Sequence, residues 1–251
     1  CRAGYPVISN SSVYRMDEDV PLLIPEINPD HLGLIEVQQT KRGFSKGFIV
    51  TNPNCAVASF APPLAALDQK FGVESAIVTT MQAISGAGYP GVASLDIIDN
   101  VLPYIAGEEP KVETEAQKIL GKFSGTSIQK ADFTVSAQCF RVNVIDGHTA
   151  SVRVKLKGNS TLEEVVAAMN EFPSLGLHSS PKQFIEVLDE PSRPQPRLDR
   201  DRGNGMTVTV GRVFPDNIFD YRFVALSHNT VRGAAGSTIL NAELLASKNL
   251  I

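Results

Sequence analysis

The chain has 251 residues, 43% of them hydrophobic, and its 23 Lys and Arg against 27 Asp and Glu give a net charge of −4. That is enough apolar side chain for one large domain or two small ones, and there is no basic stripe of the kind that binds nucleic acid, so small-molecule chemistry is expected. No apolar run approaches the roughly 20 residues that span a bilayer and no charged-then-apolar signal opens the chain, so neither membrane nor nucleic acid is expected as a partner and the cytoplasm is the expected compartment. The three cysteines, Cys1, Cys55 and Cys139, have the spacing of neither a disulfide framework nor a zinc site, so free thiols and no metal are expected.

The chain opens CRAGYPVISNSS, with no initiator Met and with a strand-like run from Pro6 to Ser9 almost at once, which suggests a fragment. DHLGLIEVQ, from Asp30, has helical spacing, and GFIVTN, from Gly47, reads as a buried strand leading into NPNC. The Ala-rich stretch after Cys55, as far as Phe71, reads as a helix that Pro62 and Pro63 should kink or delay. SAIVTTMQAIS, from Ser75, reads as a strand. Thr114 with Gln117, and Ser160 with Glu163, have the capping-box spacing that starts a helix. In the second of these helices Leu162, Val165, Val166, Met169 and Phe172 share a face. The clearest strand is TASVRVKLKG, in which Ala150, Val152, Val154 and Leu156 alternate with polar residues. MTVTVGRVFPDN and FDYRFVALS read as two strands joined by a Pro-Asp-Asn turn, which favours an antiparallel or mixed sheet in the second half. A last helix is expected from Arg232, with Ile239, Leu240 and Leu244 on one side. Residues 179–204, rich in Pro and charge, read as an excursion, a loop or a partner contact.

Cys55 follows a strand and an Asn-Pro-Asn turn and precedes a helix. A thiol placed there faces unpaired N–H groups and the positive end of the helix dipole, which favour a thiolate nucleophile. A lone Cys is ordinarily a small buried hydrophobe, but Asn52 and Asn54 are poor choices for a plain apolar core. In QCFRVNVIDGHTA a strand carries Arg141 and a Gly-containing turn presents His148. These are the guanidinium that an anionic substrate needs and the imidazole that a nucleophilic thiol needs, although by itself His148 reads equally as a turn histidine. His31, His178 and His228 have no shared spacing and receive no catalytic role. Gly86, Gly88 and Gly91 match GxGxxG to the letter, yet Tyr89 and Pro90 interrupt the turn and the preceding strand comes after Cys55, so it is no dinucleotide fingerprint. It reads as a plain turn, or as bare backbone that a ligand approaches closely. Glu108, Glu109 and Lys111 read first as a solvated helix entry.

Taken in order, NPNC, TTMQAISGAGYPG, PYIAGEEPK, FRVNVIDGH and HNTVRGAAG resemble the aspartate-semialdehyde dehydrogenases, most closely their archaeal and fungal branch, over nearly the whole chain. The resemblance implies an α/β fold in which an α+β catalytic domain like that of glyceraldehyde-3-phosphate dehydrogenase has a mixed or antiparallel sheet with helices on one face, beside the trailing remnant of a Rossmann domain. It divides the chain into residues 1–53 (cofactor-domain remnant), 54–230 (catalysis and dimerisation) and 231–251 (a helix packing back on the cofactor domain). By position it makes Cys55 the nucleophile, His148 the acid/base and Gln82 an orienting residue. Arg141 would bind the substrate carboxylate, Glu108 its amino group, and Lys111 with Asn54 the phosphate; Ser85, Gly86 and Asn229 would lie by the nicotinamide of NADP. The implied reaction reduces L-aspartyl-4-phosphate to L-aspartate 4-semialdehyde with NADPH through a thioester, in a homodimer or homotetramer. The glycine-rich first turn and an upstream phosphate-binding arginine of the family are not matched, which implies weak NADP binding and low turnover for this chain alone. Competing readings are an acyl-CoA reductase of the same fold, a cofactor-independent cysteine hydrolase, and an inactive interaction fragment.

Overall fold

The computed structural model describes all of residues 1–251. Near the front, β1 (Val7–Ser9) and β2 (Ile49–Thr51) pair in parallel, joined by a long connection that contains α1 (Leu34–Arg42). Gly43 ends α1 with φ of 65°, the left-handed conformation in which glycine closes a helix. The helix α2 (Val57–Phe71) is buried on every side over most of its length and runs through Pro62 and Pro63. It starts at Val57, so the prolines neither delay nor end it.

The elements that follow are β3 (Val73–Gln82), a short α3 (Ser94–Ile97), α4 (Glu108–Ile119), the small hairpin β4 (Lys122–Phe123) and β5 (Ile128–Gln129), β6 (Thr134–Arg141), β7 (His148–Leu156) and α5 (Leu162–Asn170). The chain ends with β8 (Ile185–Leu188), α6 (Pro196–Asp199), β9 (Val208–Pro215), β10 (Tyr221–Ser227), a π-helical turn at Val231–Ala235 and α7 (Gly236–Ser247). A six-stranded sheet in the order β6-β3-β7-β10-β9-β8 organises the molecule, parallel at each edge pair and antiparallel between. The mixed sheet with helices expected from the resemblance is what the chain forms.

Alternation decides which face is covered. Ala76 and Val78 on β3 and Ala150, Val152 and Val154 on β7 point into the main core, where α2 crosses β7 and β10, α4 lies on β6 and α5 packs on α2 and β8. The opposite face carries part-exposed residues such as Ile77, Met81 and Phe140. A second cluster joins Leu23, Leu32, Ile35, Phe48 and Val50 near the front to Leu244 and Leu245 of α7.

Several expected boundaries move. Helix α4 begins at Glu108, not at Thr114; Thr114 Oγ1 donates within the helix to the Pro110 carbonyl instead of capping. The capping box of α5 is Thr161 with Glu164, one residue later than Ser160 with Glu163, because Ser160 Oγ donates to the Tyr221 hydroxyl. In α7 Leu240 and Leu244 are buried as expected, whereas Ile239 faces out at 55% exposure and Leu245 takes its place. Residues 179–204 are no mere loop: they supply β8, the edge strand, and a knot in which buried Asp199 accepts from Arg193, Arg202 and the Gln195 N–H. No helix is long and apolar enough to cross a membrane.

Candidate active site

The turn between β2 and α2 is fixed from several sides. Asn54 Oδ1 accepts from the Ala56 N–H (2.7 Å) at the entrance of α2, the Asn54 N–H donates to Glu115 Oε2 (2.6 Å), and Asn54 Nδ2 donates to Glu108 Oε1 (2.8 Å). Behind the turn lies Gly233, where a Cβ would come within 2.7 Å of Cys55 Cβ, so only glycine allows this approach. Cys55 itself stays half-buried.

Strand register then brings its partners. In the parallel pairing of β3 with β6, Gln82 stands opposite Arg141; in the antiparallel pairing of β3 with β7, Met81 stands opposite Thr149. His148, first residue of β7 and fully buried, therefore lies beside Ala83 and accepts its N–H at Nδ1 (3.0 Å), while Nε2 is 3.2 Å from Cys55 Sγ. Arg141 Nη1 donates to the Ala83 carbonyl (2.7 Å). Glu108 is a hub, accepting from Asn54, from Gln82 Nε2 (3.1 Å) and from Lys111 Nζ (3.3 Å). Asn229 accepts the Gly147 N–H and donates to Ser85 Oγ (2.8 Å), which ties the turn before His148 to the glycine loop. The residues that the resemblance assigned to the site gather here, whereas Glu109 turns away to accept the Cys139 N–H; Glu108 is buried rather than a solvated helix entry.

The electrostatics are less simple than a helix N-terminus implies. Burial pushes the Cys55 thiol up to about 11, the Glu108 carboxylate adds to the rise, and Arg15 and Arg141 oppose it. Cys55 is thus a thiol at rest, and the helix end alone does not ionise it. Burial, then the charges of Arg141 and His228, push His148 down to about 3.

Some of the surrounding residues gave no signal in the sequence. Arg15, from an irregular segment near the front, is buried and donates to Glu115 Oε1 (3.1 Å), with its Nε unpartnered. The sequence matched no upstream phosphate-binding arginine, and the structure places Arg15, upstream of Cys55, close enough to the thiol for its charge to act on it. Lys118 donates to the carbonyls of Arg15, Asp17 and Val20 at 2.7–2.8 Å and so holds that segment in place. One signal was available, since Glu108, Lys111, Glu115 and Lys118 recur at helical spacing along a single face of α4.

The model for the "Semialdehyde dehydrogenase, dimerisation domain" matches residues 64–232, and that for its "NAD binding domain" matches residues 1–35. An aspartate-semialdehyde dehydrogenase from Archaeoglobus fulgidus is 55% identical over 99% of the chain and 72% of its own length, and one from Aspergillus fumigatus is 53% identical over 100% and 72%. The chain belongs to the aspartate-semialdehyde dehydrogenase family. Among solved structures, the aspartate-semialdehyde dehydrogenase with NADP from Candida albicans superposes with a TM-score of 0.88 at 44% identity, covering 100% of this chain and 73% of that one. The second such enzyme of Vibrio cholerae gives 0.75 at 28%.

As an aspartate-semialdehyde dehydrogenase the chain is an oxidoreductase, and a nicotinamide fits the mouth of this site. Gly86 is exposed, and a Cβ there would lie 2.8 Å from Arg141 Nη1 and 2.9 Å from His148 Nε2. Bare backbone beside the His148 Nε2 that faces Cys55, with Ser85 pinned by Asn229, is a surface that a flat ring could approach closely.

Proposed function

We propose that the protein reduces L-aspartyl-4-phosphate to L-aspartate 4-semialdehyde with NADPH, a step in the biosynthesis of lysine, threonine, methionine and isoleucine. The observation that carries this reading is the Cys55 Sγ to His148 Nε2 contact of 3.2 Å inside a ring of groups that suit a zwitterionic acyl phosphate. Arg141 takes the α-carboxylate as a two-point donor, and Glu108 takes the ammonium group. Lys111, Asn54 and Arg15 face the phosphate, and Gln82 orients the acyl group from its place beside Glu108. An acyl-CoA reductase expels a thiol and a hydrolase of simple esters an alcohol, so neither gives Lys111 and Arg15 a leaving phosphate to hold.

Cys55 Sγ attacks the acyl carbon and phosphate departs, leaving a thioester on Cys55; His148 Nε2 assists at the sulfur and the acyl oxygen. Ser85, Gly86 and Asn229 would hold the nicotinamide, which when bound would supply the hydride that turns the thioester into the aldehyde. Substrate binding also relieves the thiol: an ammonium group paired with Glu108 removes one of the influences that hold Cys55 protonated. The NADP in the Candida relative supports the choice of NADP. The dimerisation-domain match supports a homodimer or homotetramer formed through the catalytic domain. In the same reading residues 1–53 belong to the cofactor domain, 54–230 to the catalytic domain, and 231–251 pack back on the first; the cluster of Leu244 and Leu245 with Leu23 and Phe48 supports that division. Three free cysteines suit a reducing cytoplasm.

Aspartyl phosphate added without cofactor should leave an aspartyl thioester on Cys55, visible as an intact-mass shift and absent in Cys55→Ala. NADP reduction by aspartate semialdehyde should require phosphate. No adduct, or reduction indifferent to phosphate, refutes the assignment.

A further inference from the structure

The charged face of α4 repeats itself. Glu108 and Lys111 meet the proposed substrate, and Glu115 and Lys118 recur with the same spacing two turns on, about 10 Å further along the helix. The chemistry described above gives this second pair nothing to do. Both residues are nonetheless buried, at 1% and 3% exposure, and buried charge persists only where partners satisfy it.

Those partners belong to one irregular segment and one turn. Glu115 Oε1 accepts from Arg15 Nη1 (3.1 Å) while Oε2 accepts the Asn54 N–H (2.6 Å), so a single carboxylate joins Arg15 to the residue that precedes Cys55. Lys118 Nζ donates to the main-chain carbonyl of Arg15 itself (2.7 Å) and to those of Asp17 and Val20. Arg15 Nη2 donates to the Asn10 carbonyl (2.8 Å). Main chain and guanidinium of Arg15 are thus held from separate sides, although no helix or strand carries the residue. A guanidinium has five N–H groups, and these bonds use two of them. Nε is buried with no partner at all, and the charge acts on Cys55. A fixed cation with donors to spare beside the nucleophile suits the anion that leaves the acyl carbon. Because Arg15 is already held, it loses little further rotamer freedom when that anion binds.

We propose that Glu115 is a positioning residue whose two oxygens hold the Arg15 guanidinium and the Cys55 turn at a set separation, so that the phosphate contact and the nucleophile stay in register, with Lys118 anchoring the Arg15 main chain. This deepens the function proposed above and rests on it, since the anion is the leaving phosphate. Glu115 bonds to neither Cys55 nor His148 and acts through Arg15 and Asn54. The sign of its effect is what separates positioning from simple charge balance. A carboxylate beside a phosphate site repels the phosphate, so if Glu115 only neutralised Arg15, its removal would tighten phosphate binding. If it positions Arg15, its removal loosens that binding.

The test is Cys55 acylation by aspartyl phosphate, followed by intact mass, with inorganic phosphate as a competitor; no cofactor is needed. Its inhibition constant reads the anion contact, and the limiting acylation rate reads the Cys55 turn. Glu115→Gln should raise the phosphate constant roughly 10-fold and lower the limiting rate as well. In an Arg15→Met background the same substitution should change the phosphate constant by less than about 2-fold, while its effect on the limiting rate, which runs through the Asn54 N–H, persists. Phosphate that binds more tightly to Glu115→Gln overturns the proposal. So do losses in phosphate binding that multiply across the two substitutions, because Glu115 would then not act through Arg15. Should Glu115→Gln fail to fold, Lys118→Met loosens only the Arg15 segment: the phosphate constant should rise with the limiting rate kept within about 3-fold, and equal losses in the two overturn the proposal. A parent that is not acylated overturns the proposed function and this inference with it. A parent acylated normally, with a phosphate constant indifferent to Glu115, overturns the inference alone.

Discussion

The ion pair between Glu26 and Arg232 joins the front of the chain to the start of its last helical segment, and its removal has a calculable effect. Arg232 Nη2 and Nη1 donate to the two Glu26 oxygens at 2.7 and 3.1 Å, Nε donates to the Met206 carbonyl (2.7 Å), and the guanidinium lies 4.6 Å from the Phe184 ring centre. Both side chains are at most 1% exposed. Arg232→Met fills similar space but strands a buried carboxylate, which costs about 3–5 kcal/mol. For a chain of this size each kcal/mol moves the melting midpoint by roughly 2–4 °C, so a fall of about 6–20 °C is expected in a thermal melt followed by circular dichroism. Glu26→Leu should be similarly damaging. The double variant should recover most of the loss, because no unpaired charge remains and the pair's own desolvation is avoided. Single variants within about 1 kcal/mol of the parent, or a double variant as unstable as the sum of the singles, would refute the reasoning. Arg232 also precedes Gly233, which backs Cys55, so acylation should weaken in Arg232→Met and return in the double variant.

Asp199 should make stability depend on acid pH: burial raises its pKa, but hydrogen bonds from Arg193, the Gln195 N–H and Arg202 outweigh this and hold it at about 2, below the ordinary 3.8. Because the folded value lies below the unfolded one, the stabilisation, about 2 kcal/mol, is complete above the unfolded pKa and disappears as pH falls through the folded pKa, so denaturant melts of Asp199→Asn and parent should converge in acid. Gly86→Ala places a methyl within 2.8–2.9 Å of Arg141 Nη1 and His148 Nε2. Cys55 acylation should fall on the order of 10²-fold with little change in melting midpoint, and an unaffected rate would show that the loop yields easily. Lys118→Met leaves three carbonyls without their charged donor, which should cost about 2–3 kcal/mol in a urea melt. Because the freed segment carries Arg15, KM for phosphate should rise more than kcat falls; the reverse order would remove Arg15 from the phosphate site.

How much of this was legible in the sequence differs from residue to residue. The alternation of Ala150, Val152 and Val154 foretold β7, and the passage from apolar run through Asn-Pro-Asn to Ala-rich helix foretold where Cys55 sits. The meeting of Cys55 with His148 was not legible by spacing, because it depends on how β3 pairs with β6 and β7, a long-range register that no local pattern encodes. The five-motif resemblance supplied it instead. Local patterns misled where another partner claimed the hydroxyl: Thr114 bonds back to the Pro110 carbonyl one turn earlier in the same helix and Ser160 to the distant Tyr221, so neither caps a helix. In residues 179–204 charge and proline masked structure, since Asp199 gathers the basic residues inward and β8 pairs with β9.

The face of α4 shows why charged residues mark this site where an apolar pattern marks an ordinary helix. Glu108, Lys111, Glu115 and Lys118 alternate in sign, and each of the three that is deeply buried has partners that satisfy it. Glu108 accepts from Asn54, Gln82 and Lys111; Glu115 from Arg15 and the Asn54 N–H; Lys118 gives to three carbonyls. Buried charge is tolerable on those terms alone. The arrangement makes one rigid helix the common support of the Cys55 turn, the Arg15 segment and the proposed ammonium and phosphate contacts. A shift of α4 would then disturb nucleophile and substrate groups together, so their relative placement is set by the helix rather than by each loop separately. Arg141 and His148 are held by a different element, Ala83 just past the end of β3. The acyl group must fit between these two supports, and Cys55, on the turn that Glu108 and Glu115 hold through Asn54 and beside His148, is where they meet.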